Sequence, residues 1–271
     1  MQRKILEFVL TERGYTLGEK LGSGTFSTVY RVEEKRTGRI MACKISGQTQ
    51  MLRREGELLQ RANHALFPKI YELWEQEKRA FLCMEYIPGR TLDKVLADGI
   101  CLPQGRVIQI AERLAEGLSY LHELPEPVFY RDLKPENIMI EPAGAVRLLD
   151  FGSAGELKLF ENVATGTPGY GAPEQFVPGV ESGSAADVYA LGQILRQMLC
   201  HSEVADRRGF AGLLQLSRDC IRKLPQERVP DMRCFCMRLE SCSVGKKREG
   251  RGREWSGNYL IQKNIIKRGS A

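Results

Sequence analysis

Two regimes of side-chain periodicity divide this chain, and that division constrains its fold more than any other feature. Up to residue 86 the apolar residues come in short β-branched and aromatic runs set off by glycine turns. Residues 15–21 run toward Gly22-Ser23-Gly24, residues 28–32 are rich in strand formers, and residues 35–38 read as a turn. Residues 39–45, 70–74 and 81–86 read as further strands, with one helix over 51–62. Pro88-Gly89 breaks the pattern. Beyond it Val107, Ile110, Ala111, Leu114, Leu118 and Leu121 fall at three- and four-residue intervals, the apolar stripe of a helix. A short strand pair is expected around 137–140 and 146–149. A helix is expected over 184–199, opened by Ser184-Ala-Ala-Asp187 in the manner of a capping box, and helical stretches run from about 213 to 239. The chain therefore reads as α+β, with a strand-rich lobe at 15–86, a hinge at 86–91 and a larger helical lobe at 91–242. An N-terminal extension occupies 1–14 and a tail 243–271.

Composition excludes several classes. With 271 residues, 42% of them apolar and 27% charged, the chain can bury a sizeable core and is not wholly disordered. No apolar run reaches the roughly 18–20 residues of a membrane span. Residues 5–10 are apolar but short, carry Glu7 and lead to no small-residue cleavage site, so no secretory signal is read and a cytoplasmic location is expected. The net charge of +6 is uneven: the tail holds eight Lys/Arg against two acids, and the rest of the chain is neutral. Such a tail could contact nucleic acid or an anionic surface, but a solvated terminus is the plainer reading. The eight cysteines include no C-x-x-C pair and only three histidines accompany them, so zinc-finger spacings are absent. Reduced thiols are expected; Cys234, Cys236 and Cys242 are the one grouping that could serve a soft metal or redox chemistry.

Four short segments carry chemistry. Leu21-Gly22-Ser23-Gly24 lies between two strands, where glycines let backbone N–H groups approach phosphate oxygens. It opens a strand, so it is not a dinucleotide-binding fingerprint. Lys44 ends an apolar strand and needs a partner, which Glu55 could supply. Tyr130-Arg131-Asp132-Leu133-Lys134-Pro135-Glu136-Asn137 sets an aspartate and an asparagine five apart in a proline-containing loop. Leu149-Asp150-Phe151-Gly152 places an acid directly after a strand. Asn137 and Asp150 offer hard oxygen ligands suited to Mg²⁺, and Asp132 is left to accept a proton from a hydroxyl.

In this order, and followed by Gly166-Thr167-Pro168-Gly169-Tyr170-Gly171-Ala172-Pro173-Glu174 and Asp187-Val-Tyr-Ala-Leu-Gly192, these segments resemble the eukaryotic-type serine/threonine protein kinases, bacterial forms included. The resemblance runs from Tyr15 to Leu239. It implies a two-lobed fold and transfer of the γ-phosphoryl group of ATP to protein serine or threonine hydroxyls. The glycine loop would cover the phosphates, Lys44 would touch them and pair with Glu55, and Asn137 and Asp150 would hold Mg²⁺. Asp132 would act as base, Lys134 would steady the transferred phosphate, and Thr167 would bridge the two. Leu21, Val29, Ala42 and Met139 would sandwich the adenine, Glu85 and Ile87 would offer hinge backbone groups, and Met84 would be gatekeeper. Asp187 would hold the catalytic loop, Glu174 would pair with Arg228, and His122 would be structural.

Departures accompany the likeness. Tyr130 stands where histidine is commoner, Ser27 replaces a loop glycine, and the short link from Lys44 leaves Glu57 as a lesser candidate partner. About a dozen residues are expected between the helix ending near Leu199 and the next, so the family's substrate-docking helix is short or missing. Arg131 beside Asp132 implies a loop ordered by phosphorylation, with autophosphorylation at Thr165; a loop held by unphosphorylated contacts fits nearly as well. The alternative function is a nucleotide-binding pseudokinase or scaffold, which the presence of Lys44, Asp132, Asn137 and Asp150 disfavours.

Overall fold

A computed structural model describes residues 2–156, 166–180 and 182–243. Thr165 and the basic residues of the tail lie outside them. The chain divides into two compact units. The first runs to Ile87 and takes in Leu149–Gly155; the second comprises Pro88–Leu148 and the chain from Glu156 onward.

The first unit begins where only an extension was expected. Gln2–Glu12 form a helix, α1, whose Leu6, Val9 and Leu10 are buried. It is followed by strands β1 (Tyr15–Ser23), β2 (Ser27–Glu34) and β3 (Ile40–Ser46), helix α2 (Thr49–Arg61), and strands β4 (Ile70–Gln76) and β5 (Arg79–Glu85). The strands make one antiparallel sheet in the order β1-β2-β3-β5-β4. β3 is buried on both faces, because side chains alternate and each face is covered. Met41, Cys43 and Ile45 join Trp74, Phe81 and Cys83 in the cluster that receives α1. Trp74 stacks between Tyr15 and Phe81 at centroid separations of 5.9 and 4.9 Å. On the opposite side α2 brings Leu52 against Ala80 and Leu82. Gly56 permits that approach: a Cβ there would stand 2.9 Å from Leu73 Cδ2 and 3.2 Å from Leu82 Cδ1.

The second unit opens with Pro88 and Gly89; the φ of Gly89, +142°, is one only glycine adopts readily, and its absent Cβ would fall 2.2 Å from the carbonyl oxygen of Ile140. Next come β6 (Arg90–Thr91), α3 (Leu92–Ala97), β7 (Leu102–Pro103), α4 (Gln104–His122), β8 (Ile138–Ile140) and β9 (Val146–Leu148). β6, β8 and β9 form a small sheet that carries the loop ahead of β8. All six stripe residues of α4 are buried. They share a core with α5 (Ser184–Cys200), α6 (Arg207–Cys220) and α7 (Met232–Ser243), while β10 (Ser202–Glu203) pairs with β7.

Three expectations need correction here. Ser184 does not open a capping box: Gly183 is the N-cap, no side chain caps the helix, and the Asp187 carboxylate is turned instead to the backbone amides of Tyr130 and Arg131. Helix α6 starts at Arg207, before the expected 213, because Asp206 accepts from the amides of Arg208 and Gly209 at 3.1 and 2.9 Å and so caps it. Only residues 201–206 therefore separate α5 from the next helix, half the expected gap. The helical stretches expected up to 239 are α6 and α7, with the 3₁₀ turn Pro225–Glu227 between them.

Candidate active site

In the first unit β3 delivers Lys44 to a buried position where only 5% of it is exposed. Strand register sets Val29, Lys44 and Leu82 in one row, with Arg31, Ala42 and Met84 in the next row on the same face. Lys44 Nζ donates to both carboxylate oxygens of Glu55 at 2.7 Å and to Asp150 Oδ1 at 2.7 Å. Glu57 is exposed, two residues along α2 from Glu55 and so on another face of the helix. Glu55 also accepts from the amide of Phe151 at 3.1 Å, tying the Asp150-Phe151-Gly152 segment to α2. Asp150 sits at φ +55°, a left-handed conformation that aspartate tolerates better than most residues. Phe151 is buried and meets Phe67 edge-on at 5.0 Å.

Charge explains this arrangement. Burial alone would disfavour the Lys44 ammonium, but the carboxylates of Glu55 and Asp150 outweigh it and hold its pKa above the ordinary lysine value. Burial pushes Glu55 up, and Lys44 opposes that rise. Lys44→Met is therefore expected to raise the Glu55 carboxyl further. A folded-state pKa above the unfolded value, about 4.3, gives stability that is present below the unfolded value and lost as pH rises through the folded one. The variant should accordingly lose more thermal stability relative to the parent at pH 7.5 than at pH 5. Unfolding curves of both proteins at the two pH values check this, and a pH-independent difference would count against it.

The glycine segment lies at the end of the β1–β2 hairpin. Gly22 pairs with Val29 and Ser23 with Thr28, and the Gly24 amide donates to the Ser27 carbonyl at 2.9 Å. Ser27, in the place of a third glycine, thus begins β2. Leu21 is exposed and Ala42 is buried. The Glu85 amide is taken by the Lys69 carbonyl at 2.8 Å, and Ile87 is buried.

In the second unit the loop from Tyr130 to Asn137 is fixed from beneath by Asp187, which is wholly buried in the first turn of α5. Its Oδ2 accepts from the Tyr130 amide at 2.9 Å and lies 2.8 Å from His122 Nε2; its Oδ1 accepts from the Arg131 amide at 2.7 Å. These bonds hold Arg131 at φ +64°, a conformation that costs about 1–3 kcal/mol for a non-glycine residue and persists only where surroundings enforce it. The Arg131 guanidinium is buried and donates to the carbonyls of Ser182 and Glu156 at 3.1 and 2.8 Å. Gln175 adds a bond from its side-chain amide to the Arg131 carbonyl at 2.9 Å. Neither Gln175 nor Ser182 carries a sequence signal for this part, because Gln175 takes the backbone of Arg131 and Ser182 gives its own.

Above that base sits a compact polar group. Asp132 Oδ1 accepts from Thr167 Oγ1 at 2.6 Å, and Oδ2 accepts from Lys134 Nζ at 2.7 Å. Lys134 also donates to Thr167 Oγ1 at 3.0 Å. The Asn137 side-chain NH₂ donates to the Asp132 carbonyl at 2.8 Å and to Oδ2 at 3.2 Å. Met139 follows on β8, opposite Thr91 and Arg147. Glu174 is held by Arg228, whose two terminal nitrogens reach its two oxygens at 2.6 and 2.7 Å.

Among the described residues no three His, Cys, Asp or Glu side chains gather as a metal site. Asn137 in the second unit carries an amide oxygen and Asp150 in the first a carboxylate, each a donor type that suits magnesium. Cys234 and Cys236 lie two apart on α7 and so face different ways, and every cysteine is a free thiol. No described helix is long and apolar enough to cross a membrane.

Comparison with known proteins follows the same outline. Residues 15–232 match the family model described as the protein kinase domain. The chain is 34% identical over 200 residues to the serine/threonine-protein kinase pkn2 of Myxococcus xanthus, covering 66% of this chain and 23% of that protein. It is 30% identical over 198 residues to CBL-interacting protein kinase 30 of Oryza sativa subsp. japonica, covering 68% and 41%. It is 32% identical over 211 residues to protein kinase 3 of Dictyostelium discoideum, covering 70% and 23%. The chain thus spans less than half the length of each of these relatives.

Proposed function

The chain belongs to the protein kinase domain family, and from that premise we propose that it transfers the γ-phosphoryl group of ATP to serine and threonine hydroxyls of protein substrates. The observation that carries this reading is the bond set around Asp132: one oxygen on Thr167 and the other on Lys134 and Asn137. A carboxylate so oriented can accept the proton of a hydroxyl brought against it, and an ammonium 2.7 Å away can neutralise charge on the group being transferred. Lys134 with Thr167 points to hydroxyls of the serine/threonine class, in keeping with the relatives' names.

Lys44 binds nucleotide phosphates in this reading, with Glu55 keeping its ammonium in place. The backbone of Gly22, Ser23 and Gly24 lies over those phosphates; Leu21, Val29, Ala42 and Met139 contact the base, and Glu85 and Ile87 meet its edge. Asn137 and Asp150 bind the accompanying Mg²⁺, which neutralises phosphate charge when bound. Phosphoryl transfer needs little covalent help from the protein, so positioning and charge supply most of the acceleration.

The test is incubation with magnesium-ATP and a generic basic protein, followed by phosphosite mapping and a thermal-shift titration with the same nucleotide. Phosphoserine or phosphothreonine in the acceptor or in the chain itself is expected. Nucleotide-dependent stabilisation without any transfer would overturn the enzymatic reading in favour of a binding module.

A further inference from the structure

Cys43 and Cys83 stand directly opposite each other on β3 and β5, and both are wholly buried. Directly opposed residues of an antiparallel pair have Cα atoms about 4.5 or 5.5 Å apart, according to pair type. Both spacings fall within the roughly 4.4–6.8 Å that a disulfide spans. No other cysteine in the described residues has a cysteine as its strand partner.

We propose that Cys43 and Cys83 are a modification site, a facing dithiol that closes to a cross-strand disulfide on oxidation and that α1 seals from oxidant. The seal is visible in the packing: Leu6, Val9 and Leu10 of α1 belong to the same buried cluster as both sulfurs. Burial and the neighbouring Glu72 carboxylate keep the Cys43 thiol well above its ordinary pKa, so the closed form reacts slowly and lifting of α1 sets the pace. With hydrogen peroxide as oxidant, one thiolate displaces hydroxide from the peroxide oxygen and becomes a sulfenic acid. The second thiol then attacks that sulfur, forming the S–S bond and releasing water. Two thiols and one peroxide give one disulfide and two waters, with sulfur oxidised and the O–O bond reduced.

Alternation along each strand shapes the consequence. Cys43 and Cys83 face α1, whereas Lys44 and Met84, one residue on, face the other side of the sheet. The bond would therefore fasten β3 to β5 behind the lysine and leave the Lys44–Glu55 pair intact. This site does not depend on the phosphoryl-transfer reading, and its test makes no use of activity.

The full chain is treated with hydrogen peroxide, its remaining thiols are alkylated, and non-reduced peptides are mapped by mass spectrometry. The expected product joins the peptide of Cys43 to that of Cys83 with loss of two hydrogens, and it disappears in Cys83→Ser. Leu10→Ala, which loosens α1, should speed its formation severalfold; if that variant fails to fold, sub-denaturing urea on the native chain makes the same comparison. The proposal is overturned if Cys43 and Cys83 remain separately alkylatable after the exposed Cys101 and Cys200 have fully reacted, or if they link instead to other cysteines. A rate unaffected by either way of loosening α1 would overturn the seal.

Discussion

Asp132→Asn is expected to lower the rate of phosphate transfer by about 10²–10⁴-fold, the contribution typical of a positioned acid or base, while the thermal unfolding of the chain stays close to the parent's. The separation of the two readouts follows from the geometry. Asp132 is partly exposed and its partners are side chains of the same small group, Thr167, Lys134 and Asn137. The loop itself is held elsewhere, by Asp187, Gln175 and the carbonyl of Ser182. An asparagine fits the same space but offers one acceptor oxygen where the carboxylate offered two, and it cannot take up a proton at neutral pH. Single-turnover transfer to a serine-containing protein, set beside a melting curve, would measure both. Transfer at the parental rate would remove Asp132 from the role of base.

Arg228→Ala is expected to cost about 3–5 kcal/mol of folding stability, the range for breaking one side of a buried ion pair. The Arg228 side chain is fully buried, with Glu174 8% exposed. Besides both Glu174 oxygens, the guanidinium serves the carbonyls of Arg222, Lys223 and Ala185 and lies over the Tyr189 ring at 4.9 Å. Removing it strands a buried carboxylate and three carbonyls at once. Replacing both partners together, as Glu174→Leu with Arg228→Met, should cost less than the single change, because no uncompensated charge then remains. Urea midpoints for the three variants check the order. A double variant as unstable as the sum of two single losses would mean that the ion pair is not the reason.

Much of this site was legible because its residues come in short ordered segments. Lys44, Asp132 and Asp150 stand beside residues that identify them, and the strand period around residues 39–45 already put the lysine where it needs a counter-charge. Other features were hidden for physical reasons. Asp187 does hold the amides of Tyr130 and Arg131, as the resemblance implied; only the capping-box reading of Ser184-Ala-Ala-Asp187 failed, because Ser-x-x-Asp before an apolar run has the same local pattern whether the carboxylate serves its own helix or a distant loop. Helix α1 could not be told from a short apolar stretch, since Leu6, Val9 and Leu10 have meaning only once a sheet face exists to receive them. The two-residue strands β6, β7 and β10 are too short to display any period. Gln175 holds the Arg131 carbonyl and Ser182 lends its own carbonyl to the Arg131 guanidinium, and main-chain partners leave no trace in composition.

The recognised domain begins at Tyr15, just past α1. Trimming the chain to that boundary, as expression plasmids for catalytic fragments commonly do, would take away a roof rather than a loose end. Val32, Phe81 and the greasy rungs beside them would meet water across a whole sheet surface, and neighbouring molecules would stick there. A purification tag is therefore better fused ahead of Met1, with those first dozen residues kept.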